Sequence, residues 1–244
     1  MAGEVNDQLV LICGESTGGK SASLANLKDQ EGVFYLNCES GKKLPFPAKF
    51  KQFIITDPLQ VYAGFSAAET DKFKHIHTII VDSLTFLMDM YESVHVLTSA
   101  DTQKAWQHYQ QFFKNLMQQY VASSSKNVIF TAHVLGVLNE AEHVIEKKVP
   151  VKGALKNCGL ESYFSVVVSA RKVPIKILED YKNPLLTITP EEEMIGVKHV
   201  FQTRLTKETV NERIRAPMGM WGVNETYINN DAQVLLDRLR EYYA

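Results

Sequence analysis

Five short apolar runs recur along the first half of the chain: residues 9–13 (LVLIC), 33–38 (VFYLNC), 53–55, 76–81 (IHTIIV) and 128–131 (VIFT). They are separated by stretches long enough for helices. Near-continuous apolar strands in this arrangement predict a parallel sheet covered on both faces, because the crossovers place helices on each side. The strongest helical pattern covers 102–122. There Ala105, Tyr109, Phe112, Phe113, Leu116 and Tyr120 recur near the 3.6-residue period, Asp101 or Thr102 can cap the start, and three serines follow the end. The aromatic stripe reads as core packing, with a docking face as the alternative.

The last third has a different rhythm. Residues 165–170 (SVVVSA), 173–178, 185–189 and 200–205 read as strands, several joined by short turns and punctuated by Pro174 and Pro184. Residues 231–243 form a final helix, capped by Asn230 or Asp231, with Val234, Leu235, Leu239 and Tyr242 on one side. The expectation is an α/β fold whose mostly parallel sheet is flanked by helices and extended by C-terminal antiparallel strands. No linker interrupts it, so residues 1–244 are expected to form one domain.

Composition narrows the class without naming a chemistry. The chain is 45% hydrophobic and 22% charged, with a net charge of −2. No global basic field announces nucleic acid, so any DNA-binding surface has to be local. Cys13, Cys38 and Cys158 are scattered without a CxxC spacing. That argues against zinc and for reduced thiols in a cytosol. The start, MAGEVNDQ, is too polar for a signal peptide, and no run approaches the roughly 20 apolar residues of a membrane helix. A soluble, cytoplasmic protein with no membrane partner is expected.

The chemistry begins at residues 14–21. Gly14, Glu15, Ser16, Thr17, Gly18, Gly19, Lys20 and Ser21 fit G-x-x-x-x-G-K-[ST] at every defined position, after an expected strand and before an expected helix at 21–27. Glycines allow backbone N–H groups, continuing to Ala22, to turn toward phosphate oxygens, and a helix N-terminus adds partial positive charge. Lys20 supplies a full charge to the β- and γ-phosphates, and the Ser21 hydroxyl can ligate Mg²⁺. Asp82 closes the run TIIVD. A charge there is costly to bury without a partner. A Mg²⁺ shell reached through Ser21 or a water supplies one, and capping of the next helix is the alternative. ATP and Mg²⁺ are the expected cofactors.

This order of motifs resembles the RecA-like ATPase core, and most of all the small phage RecA-like proteins of recombination and single-strand annealing. Residues 33–39 (VFYLNCE) end in Glu39, where such proteins carry a water-activating glutamate. Residues 80–84 (IVDSL) resemble their Asp-Ser step, and 128–133 (VIFTAH) the strand ending in a γ-phosphate sensor, here His133. Residues 213–221 (RIRAPMGMW) resemble, more loosely, the basic segment whose cations reach the neighbouring subunit's nucleotide; here these are Arg213 and Arg215. The resemblance implies a DNA-dependent ATP hydrolase that forms rings or filaments on single-stranded DNA, in the host cytoplasm if phage-encoded. On residue chemistry alone, Glu39 can equally be a surface acid, His133 a core histidine, and the two arginines a solvated strand face.

In such proteins the loop after the sensor strand lines the DNA path. Here it would be 134–160, a long irregular stretch carrying Lys147, Lys148, Lys152 and Lys156. These lysines can follow a phosphate backbone or merely solvate the loop. A second basic cluster, Lys42, Lys43, Lys49 and Lys51, is interleaved with Phe46 and Phe50. Other readings use the same core: a hexameric helicase or packaging motor, a nucleoside or nucleotide kinase, and a non-catalytic protein switched by ATP. The chain has little room for a helicase's added domain, and no arginine-rich kinase lid is evident.

Overall fold

Alternation along the strands decides the architecture. In β1 (Leu9–Gly14), Leu9, Leu11 and Cys13 enter one core while Val10 and Ile12 enter another. Successive side chains of a strand point to opposite faces, so an all-apolar strand needs cover on both. The same split recurs in β2 (Val33–Asn37), β4 (Thr78–Asp82) and β5 (Asn127–His133); β3 (Lys51–Ile54) lies at the sheet edge and is exposed. The computed structural model describes residues 6–140, 143–153 and 155–244.

The remaining strands are β6 (Leu135–Asn139), β7 (Val144–Lys148), β8 (Val166–Pro174), β9 (Val197–Gln202) and β10 (Tyr227–Asn229). Eight strands form one sheet in the order β10-β9-β8-β1-β5-β4-β2-β3. The pairs from β8 through β3 are parallel, and β8–β9 and β9–β10 are antiparallel. This is the expected fold: a mostly parallel sheet with an antiparallel C-terminal extension. On one face pack α1 (Gln60–Ala68), α2 (Leu84–Tyr91) and α3 (Thr102–Asn115). Three short helices follow, α4 (Leu155–Cys158), α5 (Ile175–Leu178) and α6 (Pro190–Ile195), before α7 (Ala232–Tyr243) covers the opposite face. Asp101 and Asp231 cap α3 and α7 through their carboxylates. The aromatic stripe of α3 is core: Tyr109, Phe112 and Phe113 are buried.

Several expectations are corrected. The helix expected at 21–27 is only a 3₁₀ turn, Ala22–Leu24. The Ser23 hydroxyl donates to the Lys20 carbonyl at 2.6 Å, a local bond that competes with helix. Asp29 then turns the backbone left-handed, with φ 47°. The irregular loop expected at 134–160 contains the hairpin β6–β7, in which Leu135 pairs Lys148 and Asn139 pairs Val144. The strand expected at 173–178 stops at Pro174 and turns helical. Residues 185–189 are not a strand. Their partner is the short β10, with the Asn229 N–H donating to the Leu185 carbonyl at 2.8 Å. Cys13 and Cys38 are buried free thiols; the Cys158 side chain lies outside the described residues. No helix among the described residues is long and apolar enough to cross a membrane.

Candidate functional site

The functional side chains collect at the carboxyl ends of β1, β2, β4 and β5, where parallel α/β sheets present ligand sites. β1 runs directly into the glycine loop. A Cβ on Gly14 would sit 2.5 Å from the Ala170 carbonyl oxygen, and one on Gly18 would sit 2.6 Å from it. These two glycines therefore let the loop lie flat against β8. Thr17 and Gly19 take positive φ, 63° and 101°, which curls the loop. Asn230 holds it from behind, donating to the Gly19 carbonyl at 2.9 Å. His199 of β9 lies 3.2 Å from the Thr17 carbonyl.

Lys20 is buried at the centre. Its ammonium donates to the carbonyls of Gly14 and Glu15, both at 2.9 Å. Burial pulls its pKa down, and the charges of Asp82 and Glu39 oppose that pull. With only a 3₁₀ turn behind the loop, a helix dipole adds less positive charge there than the sequence suggests.

Asp82 is buried at the end of β4. It enters no ion pair among the described residues and is held by hydroxyls instead. Ser21 donates to Oδ2 at 3.1 Å and Tyr35 to the same oxygen at 2.5 Å, while Thr131 donates to Oδ1. Burial and the Asp82 charge push the Tyr35 phenol far up, so it remains a donor.

Glu39 and His133 face each other across the ends of β2 and β5. His133 Nε2 lies 3.4 Å from Glu39 Oε1, and His133 Nδ1 lies 3.4 Å from the Lys20 ammonium. Lysine only donates, so Nδ1 accepts and the Nε2–H tautomer satisfies both contacts. Lys42 adds an ion pair to Glu39 Oε2 at 3.1 Å. The hydrogen bond from His133, then Lys42, hold the Glu39 carboxyl down to about 2 against the opposing effect of burial. The Thr85 hydroxyl accepts from the His133 backbone N–H at 3.0 Å and fixes the strand end against α2.

These groups line one cleft of about 350 Å³, together with Ser16, Thr17, Gly19, Ala22, Lys43, Leu44, Pro45, Tyr35 and His199. Tyr35, Thr131 and His199 were not singled out from the sequence, and Asn230 was read only as a candidate cap of the last helix. Tyr35 and Thr131 left a trace there, as polar groups inside apolar strands. His199 left none, and nothing local tied Asn230 to the loop, because their place depends on β9 and β10 folding back to it. Phe46 and Phe50 pack toward the core beside Tyr35, and Lys51 lies over the Phe73 ring.

Arg213 and Arg215 lie outside this cleft. Arg213 pairs with Glu146 at 2.9 Å, and Arg215 reaches the Ser162 carbonyl at 3.5 Å. Arg215 also forms an isolated bridge with Val167 of β8. Three of the four loop lysines meet carboxylates: Lys147 meets Glu15 at 2.8 Å, Lys148 meets Glu146 at 3.5 Å and Lys152 meets Glu92 at 2.6 Å. Lys156 sits in α4.

The chain is similar in structure to the flagellar accessory protein FlaH from Methanocaldococcus jannaschii, with 14% identity over 82% of this chain and 79% of that chain, and a TM-score of 0.36. No curated protein matches it. The family described as AAA domain (AAA_24) matches residues 6–171, a span that holds the glycine loop, Glu39, Asp82 and His133. The chain belongs to the AAA domain family.

Proposed function

We propose that the chain binds and hydrolyses Mg²⁺–ATP, as a subunit of an oligomer that works on single-stranded DNA. One observation carries the ATPase reading: Lys20, His133 and Glu39 form a continuous polar chain, and Asp82–Ser21 stands in the same cleft. A mere nucleotide switch needs the loop and the metal pair, but not a carboxylate held ready beside Lys20.

The donor set suits Mg²⁺. Among the described residues no group of three or more His, Cys, Asp or Glu could hold a metal alone. The ion would rest on the Ser21 hydroxyl, with Asp82 behind it, and on phosphate oxygens, as Mg²⁺ prefers. When bound it neutralises charge on the phosphate oxygens. Lys20 exchanges its two carbonyl contacts for phosphate oxygens. The loop N–H groups orient the chain of phosphates. Glu39, ionised at neutral pH, accepts from the attacking water and aims it. An acid with a pKa near 2 is a weak proton acceptor, so orientation is its main contribution. A loose phosphoryl-transfer transition state demands little more.

The DNA part rests on the resemblance to RecA-like proteins and on one contact. The hairpin β6–β7 touches the glycine loop through Lys147 and Glu15, a contact through which DNA on the hairpin would reach the nucleotide site. ATP hydrolysis measured with titrated single-stranded DNA, alongside oligomer size, tests both parts. Hydrolysis that ignores DNA removes the DNA part. No hydrolysis under any condition, with ATP still bound, favours the switch.

A further inference from the structure

Asp82 is satisfied in an unusual way for a buried carboxylate. Tyr35 of β2, Asp82 of β4 and Thr131 of β5 come from three adjacent parallel strands. Alternation puts them on one face: Val33 and Tyr35, Ile80 and Asp82, Ile129 and Thr131 share it, and Val33, Tyr35, Ile80 and Ile129 all belong to the core on that side. The register that sets Val81 beside Phe130 brings Thr131 next to Asp82. Tyr35 sits one pleat earlier, and its longer side chain spans the gap to Oδ2 at 2.5 Å.

The third hydroxyl, Ser21, comes from the glycine loop, which is free of the strand register. Two hydroxyls are thus fixed to the sheet and one belongs to the loop that would carry the metal. A carboxylate offers about four acceptor positions. With three taken, its rotation is settled by the sheet before any ligand arrives.

Resting on the Mg²⁺–ATP reading above, we propose that Tyr35 and Thr131 are positioning residues for the metal half of the site. Their hydroxyls clamp Asp82 in the rotamer that receives Ser21, so the carboxylate meets the metal's shell without first having to be ordered. Preorganisation of this kind governs affinity because the ordering cost is met in folding, not in binding. Asp82 has no cation in ion-pair range among the described residues, so nothing else there fixes it with comparable strength.

A purely structural hydroxyl would affect stability and leave the metal dependence alone. The test is therefore equilibrium binding of a fluorescent ATP analogue, titrated with Mg²⁺ and repeated in EDTA, for wild type and Tyr35→Phe. That variant removes one oxygen and keeps the ring against Phe50. The Mg²⁺ concentration at half effect should rise about tenfold, the scale of a lost hydrogen bond to a charged group, and the loss of affinity should be larger with Mg²⁺ than in EDTA. In an Asp82→Asn background the same substitution should add no further shift. If Tyr35→Phe does not fold, Thr131→Val removes the other fixed hydroxyl and is read identically. An unchanged Mg²⁺ response in a folded variant, or shifts that simply add in the double mutant, overturns the clamp and leaves the nucleotide site standing. Wild-type protein that binds the analogue without regard to Mg²⁺ overturns the clamp and the metal reading together.

Discussion

His133 Nε2 lies 3.4 Å from Glu39 Oε1, and the same ring reaches the Lys20 ammonium through Nδ1. Lys20 and Glu39, proposed to bind phosphate and to orient the attacking water, are thereby joined by one imidazole. Glu39→Gln keeps the shape and one acceptor while deleting the charge. ATP should still bind, and turnover should fall by roughly 10²-fold or more, the scale of a misplaced reacting group. Single-turnover hydrolysis with separately measured affinity checks this. Unchanged turnover would make Glu39 a structural partner of His133.

The same contact fixes a pH dependence. The Glu39 carboxyl is lowered to about 2, first by the His133 hydrogen bond. A depressed acid contributes stability that is fully present above its unfolded pKa, about 4.3. That contribution disappears as pH falls from there through about 2. His133→Ala removes the largest cause, so the Glu39 titration should move up toward the ordinary carboxylate range. Carbon-13 NMR of the Glu39 carboxyl reads it directly. A titration left in place would assign the shift to Lys42 alone.

Gly18 separates the glycine loop from β8 by the absence of a side chain. A Cβ there would meet the Ala170 carbonyl oxygen at 2.6 Å and that of Glu15 at 3.1 Å. Both obstacles are backbone and cannot swing aside. Gly18→Ala should therefore push the loop off the sheet and cost about 1–3 kcal/mol, as overpacking does. Nucleotide affinity should fall with it. Urea unfolding and ATP-analogue titration measure the two effects, and wild-type values for both would mean the loop has room to shift.

The parts legible in the sequence are those set by short-range rules. The glycine loop, Asp82, and the strands leading to Glu39 and His133 are contiguous patterns, and they converge in one cleft. The Tyr35–Asp82 bond depends on β2 lying next to β4, a pairing between residues far apart in sequence, so no local pattern announces it. The hairpin β6–β7 was hidden because its strands mix Gly136, Lys147 and Lys148 with exposed Leu135, Leu138 and Ile145, leaving no clean apolar face. Residues 185–189 misled in the opposite direction: apolar alternation is present, but their neighbour at the sheet edge is the three-residue β10. Among the described residues, hydrogen bonding with it is limited to the Asn229 N–H on the Leu185 carbonyl and the Asn229 side chain on the Thr187 N–H, too little for a ladder.

Arg213 and Arg215 share no cleft with Lys20 and Glu39 in the same subunit. Arg213 is about half exposed, with its guanidinium on Glu146 at the hairpin. If these arginines act on a nucleotide, as the RecA-like resemblance implies, they act on the one held by a neighbour. Arg213→Ala and Arg215→Ala should then leave ATP binding by each subunit intact and slow hydrolysis, with turnover in wild type rising faster than linearly with protein concentration until assembly saturates. An arginine finger contributes on the order of 10³-fold or more, so repair of even a few interfaces is measurable. Mixing the arginine-deficient subunit with a Lys20→Ala subunit creates interfaces that own both halves, and activity should reappear. Mass photometry of the mixture establishes that the two variants assemble together. Co-assembled variants that remain as inactive as either alone would remove the trans role. A wild-type monomer with constant turnover per subunit would remove assembly altogether, while the cleft around Lys20, Asp82 and Glu39 would keep its role.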